Sequence, residues 1–429
     1  MSVLDLIEDI EQTAEKGNRI EYENEKPLII RIYETLTNKY DFRLNDISKK
    51  IEFKHKEKET WEMIADENVN TFWIEFQLNK EFKGKEKPSD GLIFKLINSH
   101  LTIKYNAVHD YFNNLKYDGK DYFKEYCKTY SIEPIKLIDG SDIIDHWQSL
   151  FKTWLISAVS CMLGHSPNHV MLVLMGGQGI GKTTHLNNLC PPHLNKDYRV
   201  TGHIKPDLND GTTANYLAEK VWINIDDQLD QIFGKEFNSM KSLITIDKIN
   251  NRKTYARFET SRPRIANFVG SVNQDRIFID SENRRYLSFK VTKLNYINNI
   301  DINGLWAQIY YEYKQGARAY FSSQQVNIIN MINNQFAKIP PEQEYFNLCY
   351  ETTENYTYDC KYIQFSEILS TIKQASGLNM RENILTVVLK KLNIRPISKR
   401  INNMPRYVYL LREKFVREAS GKIKLQENN

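Results

Sequence analysis

HVMLVLMGGQGIGKTT, residues 169–184, decides how this chain folds. Its opening residues, His169 to Met175, are a compact apolar run ending in glycine, the pattern of a strand buried on both faces of a parallel sheet. Gly176, Gly177, Gln178, Gly179, Ile180, Gly181, Lys182 and Thr183 then fit G-x-x-x-x-G-K-[ST] between that strand and a helix opening at Lys182. Glycines let backbone N–H groups turn inward around phosphates, a lysine there reaches the β- and γ-phosphates, and the threonine hydroxyl can sit on Mg²⁺. The loop through Thr184 is therefore expected to bind ATP, with Thr183 and a nearby carboxylate holding Mg²⁺.

Phosphoryl transfer also needs that carboxylate and a group that orients water, and both belong at the ends of neighbouring strands. Lys220–Asp227, KVWINIDD, is an apolar strand ending in two acids. Asp226 is assigned to the metal and Asp227 to water activation. Arg264–Asn273, RIANFVGSVN, reads as a third strand, and the Asn273 amide can hydrogen-bond the attacking water. Beyond it stand Arg284 and Arg285, candidates for an arginine that enters a neighbouring subunit's site and stabilises transition-state charge. Strands separated by helical stretches, with the amphipathic run at residues 143–163 packed beneath, imply an α/β core.

Between the second and third strands, residues 239–264 carry seven positive side chains (Lys241, Lys248, Arg252, Lys253, Arg257, Arg262, Arg264) against two acids, Asp247 and Glu259. Tyr255 and Phe258 are interleaved with them. A positive loop with aromatic side chains can track a single-stranded backbone. Further along, two helical stretches at 365–371 and 382–392 precede a strand at 406–411 with basic flanks, an order that reads as a winged helix able to meet duplex DNA.

The 429 residues call for two or three domains. They are placed at 1–135 (small α+β, from the alternating strand pair YDFRLNDISKKIEF and the helix after it), 136–330 (the core) and 331–429 (the winged-helix-like part with its tail). A formal charge of +4 is too small to identify a partner by itself. The five cysteines are scattered without a CxxC pair, which excludes a zinc ribbon and makes reduced thiols the expectation. Acids within the first residues, and no long apolar run, predict neither a leader peptide nor a membrane span, hence a cytoplasmic protein.

In order along the chain, the loop at Gly176–Thr183, the strand ending Asp226-Asp227, MKSLITIDKINNRKTYARF, PRIANFVGSVNQ and Asn283-Arg284-Arg285 resemble the virulence-associated E family. So do Phe42–Asn45, Tyr105–Tyr111 and Lys116–Gly119 upstream, although Ala107 stands where proline is usual and Tyr117 where tryptophan is usual. The resemblance implies a P-loop NTPase core of the AAA+, superfamily 3 helicase type and a replicative helicase or initiator of a phage or mobile element. Such relatives assemble as homo-hexamers on single-stranded DNA. It also implies that Lys253 grips phosphates in a central hairpin, with Lys248 second, and that any primase acts in trans; the basic residues of the C-terminal domain could meet origin duplex. The competing reading is a nucleotide-regulated binding module, a helicase loader or defence-associated ATPase, that does not unwind. A metabolic kinase lacks any signature of a small-substrate pocket.

Overall fold

The computed structural model describes residues 26–202, 204–226, 229, 232, 236–251, 260–274, 276–278, 283–353, 357–401, 404–417 and 423–425. Two compact units divide the chain, one of Met1–Gln274 with Arg284–Met331, the other of Asp275–Asn283 with Ile332–Asn429.

In the first unit a small sheet of order β3-β2-β1-β4 combines β1 (Tyr40–Asn45), β2 (Lys50–His55), β3 (Glu62–Met63) and β4 (Ile103–Tyr105). Period-two alternation along β1 sends Tyr40, Phe42 and Leu44 into a core shared with Ile32, Phe72, Phe76 and Ile93 from the covering helices. The opposite face carries Arg43, whose guanidinium lies 4.1 Å from the Trp61 ring centre and 3.6 Å from that of Tyr105 while donating to Glu52 at 2.6 Å.

The main sheet of this unit has the order β5-β12-β6-β11-β8-β7, built from β5 (Tyr130–Ile132), β6 (Met171–Met175), β7 (Arg199–Thr201), β8 (Trp222–Ile225), β11 (Asn267–Val272) and β12 (Tyr286–Leu294). All neighbours are parallel except β5, from the segment before residue 135, which adds antiparallel to the β12 edge. Every residue of β6, β8 and β11 is buried, as the unbroken apolar runs require. Gly270 lets β11 approach β8 closely: a Cβ there would stand 2.6 Å from the Ile225 carbonyl oxygen. A separate ribbon, β9 (Lys248–Asn251) paired antiparallel with β10 (Thr260–Pro263), leaves the sheet between β8 and β11.

The helix Lys182–Leu189 follows β6 and is fixed from its far end. A helix leaves its last carbonyls without intrahelical donors. Here the buried indoles supply them, Trp222 Nε1 donating to Leu186 O at 3.1 Å and Trp306 Nε1 to Leu189 O at 3.0 Å. Trp154 meets Trp222 edge-on at 5.6 Å, and Trp222 meets Trp306 edge-on at 6.3 Å, so one row of indoles seats the helix.

The second unit orders β13 (Tyr350–Thr352), β14 (Cys360–Gln364), the helices Phe365–Ser376 and Glu382–Lys391, then β15 (Ile397–Ile401) and β16 (Met404–Glu413), with β16 pairing β13, β14 and β15 antiparallel. Its own core gathers Phe346, Ile363, Ile368, Ile372, Leu385, Leu389 and Leu411. The whole is a mixed α/β protein with several sheets. Among the described residues all five cysteines are free and buried, and no helix is long and apolar enough to cross a membrane.

His185, on the helix after β6, is buried against Tyr126 (rings stacked at 5.4 Å) and Tyr130 (edge-on at 4.6 Å), with Tyr126 Oη 3.2 Å from Nε2. Burial pushes its pKa down from 6.5 to about 4. Unfolding frees this imidazole to take up a proton, so its contribution is complete above pH 6.5 and is lost progressively as pH falls toward 4. The loss amounts to about 3 kcal/mol. Urea midpoints followed across that window should fall more steeply for the native chain than for His185→Phe. Parallel curves would place the histidine's proton in water.

Candidate active site

Chain order and sheet order diverge at β6: it lies between β11 and β12, while the chain leaves it for β7 at the far edge. In open α/β sheets the crevice for ligands opens at such a reversal, outside the carboxyl ends of the strands. The segments leaving β6, β8 and β11 there are the loop at Gly176, Asp226 and Asn273.

The loop needs its glycines. Gly176 has φ 151° and a Cβ on it would stand 2.3 Å from the Val291 carbonyl oxygen, while Gly179 and Gly181 adopt left-handed φ values of 82° and 83°. Gly177, Gln178 and Gly179 are exposed at the apex, Ile180 is half-buried, and Gly181 caps the helix. Lys182, only 6% exposed, turns its ammonium into the loop and donates to Gly176 O at 2.9 Å, Gly177 O at 2.7 Å and Asn273 Oδ1 at 2.9 Å. Thr183 Oγ1 donates to Asp226 Oδ1 at 2.7 Å. Lys182, Thr183, Asp226 and Asn273, spread over 92 residues from 182 to 273, thus meet at one edge. A lysine ammonium beside the N-terminus of an α-helix attracts an anion. The hydroxyl and single carboxylate facing it form a partial shell of the kind Mg²⁺ completes with phosphate oxygens and water. Among the described residues no group of three or more His, Cys, Asp or Glu could hold a metal by itself.

Three contributors escaped the sequence reading. Ser271 Oγ donates to the same Asp226 oxygen at 3.0 Å and fixes the carboxylate from β11. It stands two residues before Asn273, hence on the same strand face, and that spacing was the available signal. Asn224, buried in β8, donates to Thr183 O at 3.3 Å and Asn187 Oδ1 at 2.9 Å, tying the strand to the helix that carries Lys182. Tyr296 lies against Gly181. Asp227, Arg252, Lys253 and Tyr255 lie outside the described residues, and Thr184 is exposed on the helix.

Arg284 and Arg285 are elsewhere. They precede β12 at its pairing with Met171, the start of β6, so the length of β6, roughly 16 Å, separates them from the loop in their own chain. Both line a cleft of about 350 Å³ with Ser166, Asn168, His169 and Tyr320. Burial and the adjacent Arg284 lower the pKa of Arg285.

Of the basic residues between β8 and β11, two are structural and correct the expected count. Arg262 is 5% exposed and donates to Glu219 at 2.8 Å and Asn215 at 3.0 Å. Arg264 is 1% exposed and donates to the carbonyls of Ile246, Ala266 and Asn168 at 2.9, 2.7 and 2.9 Å. Neither is available to a polyanion. Lys248, by contrast, is exposed at the root of the β9–β10 ribbon. In the second unit Arg395, Lys399, Arg400 and Arg406 are exposed around the β15–β16 hairpin, whereas Arg412 is paired with Glu351 at 3.1 Å and Asp359 at 2.6 Å.

No curated protein matches the chain. Among solved structures, the apo structure of the NrS-1 C-terminal region aligns with 13% identity and a TM-score of 0.45, covering 90% of this chain and all of that one. The A form apo structure of the same region aligns with 12% identity and a TM-score of 0.45 over the same shares. A family model described as the virulence-associated protein E-like domain matches residues 112–338, just over half of the 429, and that span holds the whole main sheet and the cradle at its edge. The chain belongs to the virulence-associated protein E-like family.

Proposed function

We propose that this chain is a P-loop ATPase of the AAA+, superfamily 3 type, working as a ring-forming DNA helicase or replication initiator of a phage or mobile element. One observation carries the reading: Lys182, Thr183, Asp226 and Asn273 converge on a glycine loop at the carboxyl edge of a parallel sheet. In this reading a triphosphate takes the place of the loop carbonyls as partner of Lys182, Thr183 and Asp226 hold Mg²⁺, and Asn273 and Asp227 position and deprotonate the water.

In their own chain Arg284 and Arg285 stand at the opposite edge of the sheet from the loop. That separation is what a head-to-tail ring requires, since each subunit then offers its arginine edge to its neighbour's loop. The β9–β10 ribbon, inserted between β8 and β11, supports a role for Lys248, Arg252, Lys253 and Tyr255 on single-stranded DNA. The order strand, helix, helix, hairpin with exposed Arg395, Lys399, Arg400 and Arg406 supports a winged helix that meets origin duplex. A homo-hexamer, a primase acting in trans and a cytoplasmic setting complete the proposal.

Purified chain with forked DNA should displace a strand only with ATP and Mg²⁺. Lys182→Ala should lower turnover by about 100-fold or more, by analogy with removal of one charge-stabilising donor. Nucleotide-dependent complex formation with no displacement at several salt concentrations would instead favour a loader or defence-associated ATPase. Subunit mixing tests the trans arginine: Lys182→Ala and the double variant Arg284→Ala/Arg285→Ala should each be inactive alone, yet regain turnover together. Failure to complement would remove the arginines from catalysis.

A further inference from the structure

Tyr296, two residues beyond β12, covers the end of the loop where the helix begins. A Cβ placed on Gly181 would stand 2.1 Å from Cδ1 of its ring, so the ring occupies the space that any other residue at 181 would fill. Its main chain is tied to the same helix, with Asn188 Nδ2 donating to the Tyr296 carbonyl at 3.3 Å. The segment is braced on both sides: Asn295 N donates to Thr129 O at 2.9 Å, Asn298 Nδ2 to Asn295 O at 2.7 Å, and Ile300 N to Asn298 Oδ1 at 3.1 Å. Tyr296 is half-buried.

Thr184 and Asn188 are four residues apart, share a helix face, and are both exposed. Tyr296 meets the same helix through its ring at Gly181, the N-cap, and through its carbonyl at Asn188. In the ATPase reading, a polyphosphate whose terminal groups meet Lys182 continues past the helix N-terminus toward Thr184, carrying whatever is bonded to its α-phosphate.

We infer that Tyr296 is the stacking wall for the nucleobase, so that the site takes nucleoside triphosphates in preference to bare polyphosphate and is tolerant of which base they carry. The inference rests on the ATPase reading above. Every base offers a π-face to an aromatic ring, so a stack on Tyr296 does not depend on which base it meets.

Titration calorimetry on the full chain with Mg²⁺ and, in turn, ATP, CTP and inorganic tripolyphosphate tests it. Tyr296→Ala should weaken ATP and CTP by about 5- to 100-fold, the range of one lost aromatic–base stack, and tripolyphosphate by less than about twofold. Tyr296→Phe, which keeps the ring, should retain most of the ATP affinity. Equal weakening of all three ligands by Tyr296→Ala would overturn the inference, because the ring would then only shape the loop. So would ATP binding that ignores the substitution, or native chain that binds ATP no better than tripolyphosphate. Native chain that binds neither overturns the ATPase reading itself, a result separable from the others by the missing tripolyphosphate signal.

Discussion

Among the described residues, the ammonium of Lys182 donates to two carbonyls of its own loop and to the side chain of Asn273 from another strand. A charge this enclosed is costly to leave unpaired. The requirement reaches outward. Asn273 can meet the lysine only if β11 lies beside β6, and the loop can curl back on it only with glycine at 176, 179 and 181. Asp226 joins because β8 is the next strand over, and Ser271 and Thr183 hold the carboxylate from two sides. The order β12-β6-β11-β8 is therefore the scaffold that one buried cation needs.

Around that point, side-chain donors among the described residues satisfy main-chain carbonyls. The indoles of Trp222 and Trp306 serve the carbonyls at the end of the Lys182 helix. Arg264 serves three carbonyls at the opposite edge of the sheet, and Asn267 joins Asn168 to the carbonyls of Ala158 and Val221. Such donors fix orientation as well as energy, because each carbonyl accepts along limited directions. Both sets lie away from the loop, the indoles at the far end of its helix and Arg264 and Asn267 at the start of β11.

How much of this could be read from residues 169–184 alone follows from what a sequence encodes locally. The strand, the glycine loop and the helix start are periodicity and backbone chemistry, and they stand where the spacing put them. Asp226 and Asn273 were legible because polar residues that end apolar strands need a reason to be there. Ser271 and Asn224 were not, because a small polar residue inside a buried strand resembles a tolerated core residue until its partner's position is known. Arg262 and Arg264 misled in the other direction: charge counts along a segment cannot distinguish a solvated guanidinium from one enclosed by carbonyls. Tyr296 carried no local signal at all, since its meaning depends on a glycine 115 positions earlier in the chain, at 181.

The β9–β10 ribbon departs from the sheet after β8 and returns before β11, and the two chain ends at its tip, Asn251 and Thr260, are already paired. Loop closure grows slowly with length, by about 0.6 kcal/mol for each doubling. The eight residues between them can therefore lengthen, shorten or change charge while β8 and β11 stay paired as they are.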